Sequence, residues 1–275
     1  MDLELKGKKV VVSAASRGVG RAIVERFLRE GAEVSICARR RSSRDPNADA
    51  PDLVSNTLRN DGLEEALAAL SQFGTVHGSV VDCADQDQVT RWVQESAERM
   101  GGIDIVVSNA SALGGIPRNR RGWDLNYHVD LLSAVAMWDA AYPYFRKSDA
   151  ASFVQIATIS AVESHPFAGC CQSYGAMKAA LINYTSQLAQ EYMSEGIRAN
   201  CVSPGPTYVQ GGSWDFLQQT MPDYYEQNVA KHPAKRLGRP EEIADVVVFL
   251  ASPRASWVTG ENIVVDGGFT RHVKF

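Results

Sequence analysis

The chain has 275 residues, 45% hydrophobic, 22% charged and 8% aromatic, an ordinary globular composition that excludes disordered, collagen-like and coiled-coil classes. Lys and Arg number 28 against 32 Asp and Glu, a net charge of −4, so electrostatics gives no reason to expect nucleic-acid binding. No apolar run approaches the roughly 18 residues of a membrane span, and residues 1–6 lack the basic start and apolar stretch of a secretory signal. The expectation is a cytoplasmic protein without a membrane partner.

In chain order, residues 9–13 are a short β-branched run, followed by a glycine-bearing turn and a helix over 21–29, with Ala22, Ile23, Phe27 and Leu28 at helical spacing. The alternation continues with strands at 33–37, 75–81, 103–108, 152–158, 198–202 and 262–265, and helices at 86–100, 131–144, 174–194 and 240–251. Strands such as 103–107 lack clean polar–apolar alternation, as expected of a parallel sheet covered on both faces. The pattern predicts an α/β chain with a Rossmann-type, doubly wound, mostly parallel sheet flanked by helices, running as a single domain over residues 1–275. Two stretches interrupt it: polar residues 40–61, and 208–238, which carries Trp214, Phe216, Tyr224 and Tyr225 and reads as a substrate lid.

Five cysteines without C-x-x-C spacing read as reduced thiols, and five scattered histidines form no ligand cluster, so no metal is expected.

The stretch Ser13-Ala14-Ala15-Ser16-Arg17-Gly18-Val19-Gly20 lies between the first strand and the first helix. There, backbone N–H groups and the helix dipole can hold a pyrophosphate, and glycines let it approach. This loop resembles the T-G-x-x-x-G-x-G motif of the short-chain dehydrogenase/reductase superfamily, classical type. Four more motifs follow in register: Ser108-Asn109-Ala110-Ser111 for N-N-A-G, Tyr174-Gly175-Ala176-Met177-Lys178 for Y-x-x-x-K, Pro204-Gly205 after the sixth strand, and Val265-Asp266-Gly267-Gly268 near the C-terminus. The resemblance covers roughly residues 5 to 270 and identifies a diverged member.

The second strand ends where such a fold places the adenosine ribose. A carboxylate there would select NAD; this chain has Ala38-Arg39-Arg40-Arg41. Arg39, with Arg17 from the glycine loop, would clamp the 2′-phosphate of NADP, and NADP(H) is the expected cofactor. The resemblance implies further contacts from Ser13, Ser16, Gly18, Val19 and Gly20. It also implies Asp82 at the adenine, Asn109 and Ala110 along the adenosine, and Pro204, Gly205 and Thr207 at the nicotinamide, with Tyr174 and Lys178 nearby.

Tyr174 and Lys178 are four apart, on one face of a helix. Ketone reduction needs hydride on carbon and a proton on oxygen. A phenol, with an ordinary pKa near 10, exchanges that proton readily at neutral pH only when a cation favours its ionised form. The resemblance implies a serine about 13 residues before the tyrosine. Ala161 stands there and Ser160 one earlier, so Ser160 is expected to take the role, with Ser164 as the alternative. The family's fourth catalytic residue, an asparagine about seven past a tryptophan, corresponds to Asp130 after Trp123, with Asn126 one turn earlier. A carboxylate at 130 would pair with Lys178 and weaken its push on Tyr174. Ala14, replacing the first glycine of the loop, is expected at negative φ.

His165, Phe167, Cys170, Cys171, Trp214 and Phe216 are expected walls for an apolar or aromatic ketone or alcohol. The sequence reads as an NADP-dependent oxidoreductase interconverting a ketone and a secondary alcohol, with a 3-oxoacyl-thioester reductase as the alternative and a dinucleotide-binding sensor as the reading from another class. The resemblance further implies a homodimer or homotetramer.

Overall fold

The computed structural model describes residues 1–42, 62–112, 119–163 and 172–271. Val10 and Val12 point to one side of the first strand and Val11 to the other, and all three are fully buried; that burial on both faces is why the strand reads as an unbroken apolar run. The strands are β1 (Lys9–Val12), β2 (Glu33–Ala38), β3 (Val76–Val80), β4 (Ile105–Ser108), β5 (Ser152–Ile156), β6 (Arg198–Pro204) and β7 (Asn262–Val265). They form one seven-stranded sheet in the order β3-β2-β1-β4-β5-β6-β7, and every pair is parallel. The order reverses between β1 and β4, where Val10, Val11 and Val12 of β1 pair with β2 on one side and with β4 on the other. Crevices at such reversals, beyond the carboxyl ends of the strands, are where open α/β sheets hold ligands.

The helices are α1 (Gly18–Arg29), α2 (Leu63–Leu70), α3 (Gln86–Met100), α4 (Arg120–Asn126), α5 (Ser133–Phe145), α6 (Gln172–Tyr192), α7 (Ser213–Thr220), α8 (Pro222–Lys231) and α9 (Pro240–Ala251). One core joins Val10, Val12 and Ile36 to Phe27 and Leu28 of α1 and to Val247 and Val248 of α9. The opposite core joins Val11, Val106 and Phe153 to Trp92 of α3, Trp138 of α5 and Leu181 of α6. The helix expected from residue 131 starts earlier: α4 continues through a wider π-helical turn, Tyr127–Leu132, directly into α5. Such turns insert a residue without breaking the helix, and they leave no trace in apolar spacing. The 208–238 stretch carries α7 and α8. Their small core is Trp214, Leu217 and Leu237, with Tyr208, Tyr224, Tyr225 and Val229 packed against it. Of the polar stretch 40–61, positions 43–61 lie outside the described residues. Among the described residues no helix is long and apolar enough to cross a membrane, and no group of three His, Cys, Asp or Glu could hold a metal ion.

The C-terminal end of α9 is closed by Arg198, only 5% exposed on β6. Its guanidinium donates to the carbonyls of Leu250 (2.6 Å), Ala251 (3.1 Å) and Ser252 (3.0 Å), groups that a helix end leaves unsatisfied and partly negative. Burial lowers the pKa of Arg198 to about 10, far enough above neutrality for the cap to stay charged. Arg198→Met is expected to lower the unfolding free energy by about 2–4 kcal/mol, because three buried carbonyls lose their donor. Urea denaturation at pH 7 measures it.

Candidate active site

At the end of β1 the chain turns under its own hydrogen bonds. Ser13 is fully buried, and its Oγ accepts the N–H groups of Asn109 (2.9 Å) and Ala110 (3.1 Å), tying the end of β1 to the end of β4. Asn109 Nδ2 donates back to the carbonyls of Ser13 (3.0 Å) and Ala14 (3.1 Å). Gly20 lies against this knot: a Cβ there would stand 2.5 Å from Asn109 Nδ2 and 2.8 Å from the Ala14 carbonyl oxygen. Ala14 is not at negative φ as expected. It sits in the left-handed region at φ 51°, held there by its N–H to Cys37 Sγ (3.4 Å) and its carbonyl to Asn109, at a conformational cost of about 1–2 kcal/mol.

The loop opens onto a cleft of about 1000 Å³. Gly18 is at φ 57°, and a Cβ there would meet only Val209, 3.5 Å away. The N–H groups of α1 have no side-chain cap and no acidic residue in the first turn, whereas Asp85 caps α3 by accepting from Asp87 and Gln88. Free donors, a positive helix end and a side-chain-free approach at Gly18 together fit the pyrophosphate of a dinucleotide. Arg17, Gly18, Val19, Gly20 and Asn109 border the cleft on this side, and Pro204, Gly205 and Thr207 border it beyond β6. Gly205 is pressed against Asp266, whose Cβ would be 2.5 Å from a Cβ at Gly205. The Asp266 carboxylate is taken up by the N–H groups of Gly268 (2.9 Å) and Thr270 (2.8 Å) and by Thr270 Oγ1 (2.6 Å), so Val265-Asp266-Gly267-Gly268 is a brace for the base of the site.

Ser13, Ser16, Arg39, Asp82 and Ala110 do not border the cleft. Ser13 and Ala110 belong to the knot behind it. Asp82 accepts the Ala84 N–H (2.9 Å) in the turn before α3, and Arg39 stands exposed one residue past β2.

Tyr174 and Lys178 both border the cleft from the first turns of α6. Lys178 is 1% exposed. Its Nζ donates to the carbonyls of Ile156 (2.8 Å) and, at longer range, Ala110 (3.4 Å), and lies 3.3 Å from Asp130 Oδ1. That last contact lacks hydrogen-bond alignment, since Oδ1 has no bonded partner; it is a charge contact. Asp130 Oδ2 accepts Asn126 Nδ2 (2.7 Å) and the Ala112 N–H (3.1 Å), and Asn126 Oδ1 accepts Ser173 Oγ (2.7 Å). Asn126 and Asp130, alternatives in the sequence, are therefore consecutive links of one buried chain. Burial pushes the Cys201 thiol on β6 up to about 12, against its hydrogen bond to Thr185 Oγ1 and the Lys178 charge.

Ser160 borders the cleft next to Tyr174. A Cβ on Gly175 would lie 2.6 Å from the Ser160 carbonyl oxygen and 3.7 Å from Ser160 Cβ, so the residue after Tyr174 has room for no side chain. Sequence reasoning missed Thr158, which borders the same cleft and accepts the Ser160 N–H at Oγ1 (3.2 Å). The signal was a hydroxyl just past the fifth strand, 16 residues before the tyrosine. Trp214 borders the cleft and is also a centre of the small core of the 208–238 stretch, so one residue both lines the cleft and staples that stretch; Phe216 does not border it. His165, Phe167, Cys170, Cys171 and the alternative Ser164 lie outside the described residues.

Residues 51–270 match the family model described as enoyl-(acyl carrier protein) reductase. The chain is 36% identical over 269 residues to isoepoxydon dehydrogenase patN of Penicillium expansum, covering 96% of this chain and 95% of that protein. Among solved structures, L-sorbose reductase from Gluconobacter frateurii, complexed with NADPH and L-sorbose, superposes with a TM-score of 0.82 at 29% identity, covering 99% of this chain and 100% of that one. A short-chain dehydrogenase from Burkholderia cenocepacia in complex with NADP gives 0.81 at 25%, covering 96% and 98%. With the glycine loop, the buried lysine one turn beyond a cleft-facing tyrosine and the parallel sheet in agreement, the chain belongs to the short-chain dehydrogenase/reductase superfamily and is an oxidoreductase acting on the CH–OH/C=O pair.

Proposed function

We propose that the protein is an NADP(H)-dependent oxidoreductase that interconverts a small-molecule ketone and a secondary alcohol. The observation that carries this reading is the pairing of Tyr174, facing the cleft, with Lys178 buried one turn behind it. When bound, the nicotinamide supplies or takes the hydride. The protein's own residues handle the oxygen: Tyr174 Oη gives it a proton in reduction and takes one back in oxidation, while Ser160 donates a second hydrogen bond. Lys178 favours the ionised phenol by charge, and Asp130, 3.3 Å from its Nζ, moderates that charge.

Ser13, Ser16, Arg17, Gly18, Val19, Gly20, Asn109 and Ala110 form or brace the cofactor's phosphate and adenosine end, with Asp82 towards the adenine. Pro204, Gly205 and Thr207 form the nicotinamide end. Arg17 and Arg39 account for the choice of NADP, as the only charged side chains proposed for the 2′-phosphate. The NADPH and NADP complexes of two similar structures support this, and isoepoxydon dehydrogenase and L-sorbose reductase support a ketone or alcohol substrate. The same reading takes the chain as one domain, with 208–238 as lid and Trp214 as a substrate wall, working in the cytoplasm as a homodimer or homotetramer.

Loss of NADPH absorbance across aryl ketones, diketones, steroid ketones and 3-oxoacyl thioesters tests the reading. Wild type is expected to turn over at least one class and Tyr174→Phe to lose about a hundredfold or more; NADPH binding without turnover anywhere would favour the sensor. Titration of both reduced cofactors should give tighter NADPH than NADH binding, and Arg39→Ala should weaken NADPH by about tenfold while leaving NADH little changed. Equal affinities in the wild type would sink the NADP assignment.

Asp130→Asn tests the moderating carboxylate. Removing a negative charge beside Lys178 strengthens the cation felt by Tyr174, so the phenol ionises at lower pH. The acid limb of alcohol oxidation and the alkaline limb of ketone reduction are both expected to move down by about one pH unit. Limbs that stay in place, or move up, would remove Asp130 from the electrostatics of the proton transfer.

A further inference from the structure

One face of α8 turns toward the lid side of the cleft: Tyr224, Asn228 and Lys231, spaced four and three residues apart, all border it. Asn228 is 6% exposed, and its Nδ2 donates to the Tyr224 carbonyl (2.8 Å). The cations around the end of the lid are otherwise occupied. Lys235 donates to the Ala230 carbonyl (2.8 Å), and Arg236 and Arg239 reach Glu242 at 2.6 Å and 3.2 Å. Lys231 makes no side-chain hydrogen bond or ion pair among the described residues, and of these four it alone borders the cleft.

No Asp or Glu borders the cleft among the described residues. Its two other cations are already employed, Arg17 at the glycine loop and Lys178 behind Tyr174. Lys231 is exposed at the edge of the cleft, and among the described residues no carboxylate answers its ammonium. The same lid supplies an aromatic wall, since Trp214 and Tyr224 both border the cleft and stack on one another, with ring centroids 6.4 Å apart and planes 9° from parallel.

We propose that the substrate is a ring-bearing ketone with a carboxylate remote from its carbonyl, and that Lys231, helped by the Asn228 amide, binds that carboxylate. A phosphoryl dianion is the poorer match. It is ordinarily held by several donors or a helix N-terminus, and one ammonium at the C-terminal end of α8 supplies neither. The inference rests on the ketone/alcohol reading above.

The experiment compares NADPH-dependent reduction of 4-acetylbenzoate with that of its methyl ester. Wild type is expected to favour the acid, and Lys231→Met to reduce the acid-to-ester ratio of kcat/KM by about tenfold, mainly through KM. Lys231→Arg should restore most of the ratio and Lys231→Glu should invert it. The proposal is overturned if Lys231→Met lowers both ketones equally, if it weakens NADPH binding instead, or if wild type shows no preference for the acid. If neither ketone is reduced, the ketone/alcohol reading is what fails for these compounds, and calorimetric titration of benzoate into the NADPH-loaded protein decides the anion site. Binding that Lys231→Met abolishes sustains it; binding that is absent or indifferent to the substitution overturns it.

Discussion

A lysine ammonium with 1% of its surface exposed is the constraint around which the centre of this molecule is arranged. Desolvating an ion costs several kcal/mol unless its donors and charge are answered. Lys178 is answered from three directions: by the carbonyl of the last residue of β5, by the carbonyl two residues past β4, and by a carboxylate on the π-helical turn. Each partner comes from a different segment, so the ammonium can be buried only if the carboxyl ends of β4 and β5, the start of α6 and the π-helical turn are all in place. The proposed catalytic cation is therefore also the clasp of the cleft, and its position relative to Tyr174 is fixed by the geometry of one helix.

The carboxylate is held as strictly as the lysine. Ser173, Asn126 and Asp130 are each at most 1% exposed and pass hydrogen bonds in one direction, Ser173 to Asn126 and Asn126 to Asp130. With Oδ2 occupied by two N–H donors, only Oδ1 is left to face the ammonium. This network replaces a neutral amide with a charge at the point where the tyrosine's electrostatics are set. In the mechanism proposed above, Asp130 keeps the lysine buried while tempering the field that Tyr174 feels.

The frame of the fold was legible because its determinants are local. Buried β-branched runs bounded by glycine and polar turns gave β2, β5, β6 and β7 their first residues and β7 its end. The expected strand at 103–108 was too long at its start because Asp104 turns its carboxylate to the Lys9 N–H and Ser148 Oγ and so belongs to the turn. What was hidden depends on distant partners. Ser13 looks like a phosphate ligand in sequence, yet its hydroxyl is consumed by β4 some 96 residues away. The positive φ of Ala14 is imposed by Cys37 and Asn109, and no propensity of alanine announces it. Asn126 and Asp130 read as competitors because spacing alone cannot show that one side chain holds the other.

The 208–238 stretch follows different rules from the rest. Its aromatic residues pack into a core of their own, apart from the two layers that cover the sheet, and α7 and α8 have no cap of the Asp85 kind to mark their starts. Its base is fixed where Thr207 pairs with Gly238 and where Gly205 meets Asp266. Between those anchors Val209 packs against Gly18 of the glycine loop, whereas the partners that bury Lys178 all come from outside the stretch. Lys231 ends α8, where a cation answers the partial negative charge of the last carbonyls, so the helix itself favours a positive side chain at the edge of the cleft.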